Sequence, residues 1–351
     1  MKEVKGFAWL VVLILVTGGL VFAGGTSEPE KAELEVVAVM YGHAQEGTWD
    51  PSAYQGLLKT QEKLGFELHL NEGTTPQDAE KILRNWASRG VSFIFAHSDI
   101  YTDQIITVAK QFPKVNFMGE AQLNPDAMRD DPEIGKYASD RTPANICFAG
   151  DTPWDGNYLA GAVAALMSKT KKIGVLQPFE APPLNRYTNA FLFGAQAINA
   201  GIAVKVVFVG DYIAPAETRD AVKSLAQIGC DVVFSEMDDN SAILEAAAQG
   251  IRIIPMYMDK LEVDPKAVIT SVVMDWAGPL SGAIEATAKG KFADYRKSRY
   301  FYPLSVKAGS IYLGKWGEAV PEEVKKKAGQ LAEKLKNGSI EVKLVGDKII
   351  K

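Results

Sequence analysis

Aromatic residues and carboxylates recur in this chain where apolar runs end. After the first run come Tyr41, Gly42, His43, Ala44, Gln45, Glu46, Gly47, Thr48, Trp49 and Asp50, ahead of Pro51. The run at 92–96 is followed by His97, Ser98 and Asp99, and the run at 115–120 ends on Glu120. Later ends carry Asp211 with Tyr212, Glu236 with Asp238, Asp239 and Asn240, Tyr257 with Asp259, and Met274 with Asp275 and Trp276. Flat aromatic faces suit a planar ring, stacking adding about 0.5–1.5 kcal/mol beyond area burial. Ionised carboxylates only accept hydrogen bonds, so they select ring N–H, amino or hydroxyl donors. Lys260 and Arg186 are the few cations near these positions, so a phosphate or free carboxylate would be poorly compensated. A neutral or cationic heteroaromatic ligand fits. For any one aspartate here the plainer role is to cap the next helix, as Asp239 would ahead of 241–248.

Catalytic and metal signatures are thin. The three histidines form no HExxH, and His43 with Glu46 is a single pair without further ligands. No GxGxxG follows the first run and there is no GxxxxGK[ST], so dinucleotide and P-loop readings lack their phosphate cradles. No cofactor, resident metal or catalytic set is expected. Two cysteines, Cys147 and Cys230, make no disulfide framework, and buried unpaired thiols are the expectation.

The elements that must position these residues alternate regularly. Strands are expected at 36–40, 67–71, 92–96, 115–120 and 145–149, with helices at 52–64, 78–89, 103–111 and 156–167. A second series has strands at 173–176, 204–209, 232–235, 251–255 and 268–274, with helices at 186–198, 216–228, 241–248 and 280–288. Residues 124–143 look like a surface excursion, 300–302 and 310–313 a hairpin, and 321–336 an amphipathic helix. Short β-rich runs alternating with helical periodicity are the βαβ signature of parallel sheets. Two series imply two α/β lobes, whose ligands sit beyond the carboxyl ends of the strands.

Length and composition agree: 351 residues, 47% hydrophobic and 23% charged, suit about two soluble domains. A net charge of −5 leaves no basic footprint for nucleic acid. Residues 1–23 read as a secretory signal peptide: two early lysines, an apolar run, then Val21 and Ala23 as small residues before a cut. Residues 24–33 read as a leader, with no cysteine at the cut for a lipid anchor. Export to the periplasm or cell surface follows, with the membrane met directly only if this segment is retained as a tether.

The sequence resembles the basic membrane protein family of solute-binding proteins, which serve ABC importers and include purine nucleoside receptors. The likeness spans about 36–342. It rests on Thr48, Trp49, Asp50, Pro51 and Gly56; on Phe112, Pro113, Asn116 and Phe117; on Asn157, Tyr158, Leu159, Ala160 and Gly161; and on Ile269, Thr270, Ser271, Val272 and Val273. The resemblance implies an α/β type I periplasmic binding protein, two Rossmann-like lobes with parallel sheets joined by a three-crossover hinge. The crossovers would lie near 149–151, 257–260 and 273–275. One lobe would then hold 34–149 with 259–273, the other 150–258 with 274–351.

Carried over, Trp49 takes the place of the family's stacking phenylalanine, Asp50 that of its asparagine, and Tyr212 that of its second aromatic. Asp259 matches the aspartate that holds ribose hydroxyls. Met274 stands where a ribose-binding lysine would be, which favours a free base over a nucleoside. The expectation is a monomeric, non-enzymatic receptor for a purine base or nucleoside that hands its ligand to a permease on hinge closure. Trp49, Asp50, Glu120, Tyr212, Asp239, Asp259, Met274, Asp275 and Trp276 would line its site. Alternatives are a receptor for another neutral or cationic solute, or an exported nucleoside hydrolase.

Overall fold

The computed structural model describes residues 34–150 and 152–350; the expected signal peptide and leader lie outside the described residues. The first series runs β1 (Glu35–Met40), α1 (Trp49–Leu64), β2 (Glu67–Asn71), α2 (Pro76–Ser88), β3 (Phe93–His97), α3 (Thr102–Gln111), β4 (Asn116–Glu120) and β5 (Ile146–Gly150). The second runs α4 (Trp154–Met167), β6 (Lys172–Gln177), α5 (Pro182–Ile198), β7 (Ala203–Phe208), α6 (Pro215–Gln227), β8 (Val232–Ser235), α7 (Ser241–Ala248) and β9 (Arg252–Tyr257). The chain closes with β10 (Val272–Met274), α8 (Ala277–Ala288), α9 (Phe292–Arg299), β11 (Phe301–Pro303), β12 (Ile311–Leu313) and α10 (Glu322–Lys336).

Two six-stranded sheets result, ordered β2-β1-β3-β4-β5-β11 and β7-β6-β8-β9-β10-β12. All pairings are parallel except β10 with β12. Central strands such as β1 and β3 are apolar and buried nearly throughout, because helices cover both faces. The edge strand β7 alternates half-buried with exposed residues. Both sheets reverse their strand order beside the first strand of each series, between β1 and β3 and between β6 and β8. These switch points are where open α/β sheets leave a crevice.

Local chemistry sets the element ends. Thr75 caps α2 by accepting the Asp78 N–H, with Pro76 at the first helical position. Gly65, at φ 63°, ends α1 in the left-handed conformation. The Ala/Gly-rich α4 meets α5 at backbone contact distance. A Cβ on Gly161 would fall 1.9 Å from the Phe191 carbonyl oxygen, and one on Gly194 1.9 Å from that of Tyr158.

The chain divides between the sheets differently from the sequence expectation. Residues 259–273 do not join the first lobe: Val268 bridges to Ile253, and β10 pairs with β9. Residues 274–351 do not all join the second. Phe292 of α9 packs on Phe93, and β11 pairs with β5. The chain crosses between sheets after β5, after β10 and between β11 and β12, and 257–260 makes no crossing. The reason is edge occupancy, since β11 takes the free edge of β5 and leaves β10 to extend β9. For the same reason 300–302 and 310–313 are not a hairpin, as each borders a different sheet.

Cys147 in β5 and Cys230 before β8 are both free and buried, in different sheets. Burial pushes both thiols above their ordinary range, so thiolate, the reactive form, is scarce at neutral pH. Native protein at pH 7.5 should therefore resist iodoacetamide, both thiols reacting only after denaturation. Rapid labelling of the native chain would contradict the packing around them.

Candidate functional site

A cavity of about 450 Å³ lies between the carboxyl ends of the two sheets, within the size range of small-molecule sites. From the first sheet come Tyr41, Gly42, Trp49, Asp50, Ser98, Asp99 and Glu120; from the second Leu184, Tyr187, Asp211, Tyr212, Asp238 and Tyr257. The switch points supply the closest-knit part. Trp49, opening α1 after β1, lies flat on His97, the last residue of β3, with ring centroids 4.6 Å apart and planes 18° apart. Tyr257 and Trp276 meet the indole edge-on at 5.2 and 5.9 Å.

His97 is wholly buried and hydrogen-bonded through one ring nitrogen. Its Nδ1 is 2.6 Å from Asp50 Oδ1, and its Nε2 is 3.3 Å from Glu120 Oε1. The second oxygen of Asp50 accepts the Gly42 N–H at 2.7 Å. Asp50 thus orients the imidazole, and both carboxylates border the cavity.

Helix α1 has no side-chain cap of its own; the cap comes from the second lobe. Asp238 Oδ1, beyond β8, accepts from the Thr48 N–H, from Thr48 Oγ1 at 2.6 Å and from the Trp49 N–H at 2.8 Å. A carboxylate at a helix N-terminus satisfies orphan N–H groups and the helix dipole together. Gly47, at φ 83°, permits the approach, because a Cβ there would sit 2.8 Å from Asp238 Oδ1. Lys260 Nζ adds a bond to the Gly47 carbonyl at 3.3 Å. Burial raises the Asp238 pKa, against the lowering effect of these hydrogen bonds. Burial lowers that of Lys260 despite the attraction of Asp238.

Of the residues expected at the site, Trp49, Asp50, Glu120 and Tyr212 border the cavity. The other five do not. Asp239 accepts from Ser241 N–H and Oγ, the plainer capping role. Asp259 accepts from the Leu261 and Lys315 N–H groups and braces a loop. Met274 is buried in β10 between β9 and β12. Asp275 pairs with Lys59 at 2.8 Å and caps α8 through the Ala277 N–H. Trp276 is fully buried behind Trp49, donating to Ser52 Oγ at 3.1 Å. Position at a strand end was the signal for all nine, but it does not tell a side chain facing the crevice from one facing the core. The same signal marks Asp238 and Tyr257, which do border the cavity, and His97, which is buried against Trp49. Tyr257 also has φ 78°, a strained conformation for a side-chain-bearing residue.

Five carboxylates and no lysine or arginine border this cavity among the described residues. No group of three or more metal-ligating side chains occurs among them, and no described helix is long and apolar enough to cross a membrane. The two lobes bring their strand ends together around a small-molecule cavity. The family described as "ABC transporter substrate-binding protein PnrA-like" matches residues 34–344, and the chain belongs to it. Its members are solute-binding proteins, not enzymes. They are exported and pass a small-molecule ligand to a membrane permease. Among curated relatives, a purine-binding protein of Brucella abortus is 26% identical, covering 94% of this chain and 88% of that protein. Basic membrane protein A2 of Borrelia garinii is 22% identical, with coverage of 94% and 95%. A solved ABC transporter solute-binding protein from Conexibacter woesei has a TM-score of 0.74 at 19% identity, covering 89% of this chain and 99% of that one. That likeness establishes the type I periplasmic-binding-protein fold.

Proposed function

We propose that the cleft binds a purine base or nucleoside for import. One observation carries this reading: the indole of Trp49 lies on the buried His97 ring, with the Asp50 and Glu120 carboxylates beside it. His97 covers one indole face, so a ligand ring stacks on the other. Acceptor-only carboxylates then meet the ring N–H and amino donors that purines carry at their edges. The name of the Brucella relative supports the ligand class. Tyr212, on the second lobe, supplies an aromatic surface from across the cleft.

Delivery follows from the two lobes. A ligand touching both stabilises the closed arrangement by the difference in its affinity for closed and open forms. Asp238 ties that arrangement to the shelf, since it grips the backbone of Trp49 itself.

Native mass spectrometry of gently purified protein tests the ligand class. A retained mass matching a purine base or nucleoside is expected; a hexose or polyamine mass would overturn the reading. The acidic lining carries a further expectation. Nucleoside monophosphates should bind at least fivefold more weakly than the parent nucleoside in calorimetry, because the phosphate has no cation to meet in this cavity. Equal or tighter binding of the phosphate form would contradict the electrostatics.

A further inference from the structure

Helix α5 begins with little of its own to hold its first turn. Ala181, ahead of it, supplies no side-chain cap, and Pro182 and Pro183 carry no N–H. The first main-chain bond of the helix runs from the Asn185 N–H to the Ala181 carbonyl. Gly194 seats α5 against α4 only more than two turns further on. Yet the first turns matter to the cleft, since Ala181, Pro183, Leu184 and Tyr187 border the main cavity.

The segment 344–350 supplies what is missing. It forms neither helix nor strand, and its main chain is bonded to α5. Asn189 Nδ2 donates to the Val345 carbonyl at 2.7 Å and to the Lys348 carbonyl at 2.8 Å. Its Oδ1 accepts the Ile350 N–H at 2.9 Å. One amide thus commits both donors and one acceptor position to a single stretch of main chain. One turn earlier, Asn185 Nδ2 donates to the Gly346 carbonyl, and Asn185 Oδ1 accepts from Gln177 Nε2 at the end of β6, both at 3.0 Å. Both asparagines are almost completely buried. Gly346 itself lies against the first turn, where a Cβ would fall 2.8 Å from the Pro182 carbonyl oxygen.

We propose that 344–350 is a strap that fixes the first two turns of α5, and with them the second-lobe wall of the ligand cavity. Asn185 and Asn189 are then positioning residues for ligand binding. The proposal rests on this cleft being the ligand site, and the purine reading enters only through the ligands used to test it. Asn185 and Asn189 stand four apart on one stripe of the helix, while Leu184 and Tyr187, three apart, form another that borders the cavity. A hold on the first stripe therefore sets the position of the second. Without the strap, an uncapped helix end frays. A wall that frays must be ordered when ligand binds, and that ordering lowers affinity.

Hydrogen exchange of the ligand-free chain, together with calorimetry of adenine and adenosine, tests the strap. The chains compared are wild type, a chain ending at Lys343, and Asn189→Ala. Amides at 185–187 should exchange at least roughly tenfold faster in both variants, while those of α6 stay within about twofold. Affinity for the purine ligand that wild type binds should fall at least roughly fivefold in both. A synthetic peptide of residues 344–351, added at millimolar concentration, should restore protection and affinity to the truncated chain but not to Asn189→Ala, which has lost the clamp. Rescue by the peptide separates a strap from a general folding defect. Unchanged exchange at 185–187 in both variants overturns the strap. So does faster exchange with affinity intact, because the cavity wall would not then depend on it. Protection lost throughout both variants, with no rescue by the peptide, overturns it as well. A wild type that binds neither adenine nor adenosine overturns the purine reading alone, and exchange with peptide rescue, which needs no ligand, still decides the strap.

Discussion

Replacing Trp49 with alanine is expected to weaken purine binding ten- to a hundredfold, about 1.4–2.8 kcal/mol. Stacking beyond area burial accounts for about 0.5–1.5 kcal/mol of that, and the ring area left wet for the rest. The indole is only partly buried and borders the cavity. The ligand-free protein should therefore lose little thermal stability, because Asp50 still holds His97. Calorimetry and thermal melts on the same preparation separate the two effects. A large stability loss with affinity intact would make Trp49 a packing residue and nothing more.

The second large effect is expected at Asp238. Changing it to alanine removes three hydrogen bonds into the start of α1. Losing a helix cap costs about 0.5–2 kcal/mol, and here the cap also ties one lobe to the other. Melting temperature should fall by several degrees and ligand affinity at least tenfold, because the first turn of α1 carries both Trp49 and Asp50. The change also has a pH signature. Burial raises the Asp238 pKa above its unfolded value, so the folded state holds this proton more tightly. The group's contribution is most favourable below the unfolded pKa and is lost as pH rises through the folded one. Asp238→Asn, which cannot ionise, should flatten that part of the stability profile. An unchanged profile together with unchanged affinity would mean that the bond between the lobes contributes nothing.

The alternation of short apolar runs with helical periodicity made the two α/β series legible, because each buried parallel strand must be a near-continuous apolar run. Trp49 and Asp50 were legible for a related reason: they follow the first strand, where the strand order reverses. What was not legible turned on long-range pairing and on single-residue register. Phe301–Pro303 and Ile311–Leu313 are three-residue strands whose partners lie far back in the chain, and local pattern favours pairing them with each other. Asp238 and Asp239 are identical side chains one position apart. Loop geometry turns the first toward α1 and leaves the second to cap α7. Met274 ends a strand and Trp276 follows it much as Trp49 follows β1, but β12 flanks β10 and α8 packs behind α1, so both are buried in the core.

The central claim is that the cleft is a receptor for purine rings. Isothermal titration of the purified chain with adenine, guanine, their nucleosides, glucose and choline tests it most directly. Binding of at least one purine ligand at about 1 μM or tighter is expected, roughly 8 kcal/mol, with no measurable heat from glucose or choline. Tight binding of glucose or choline with none of any purine would contradict it.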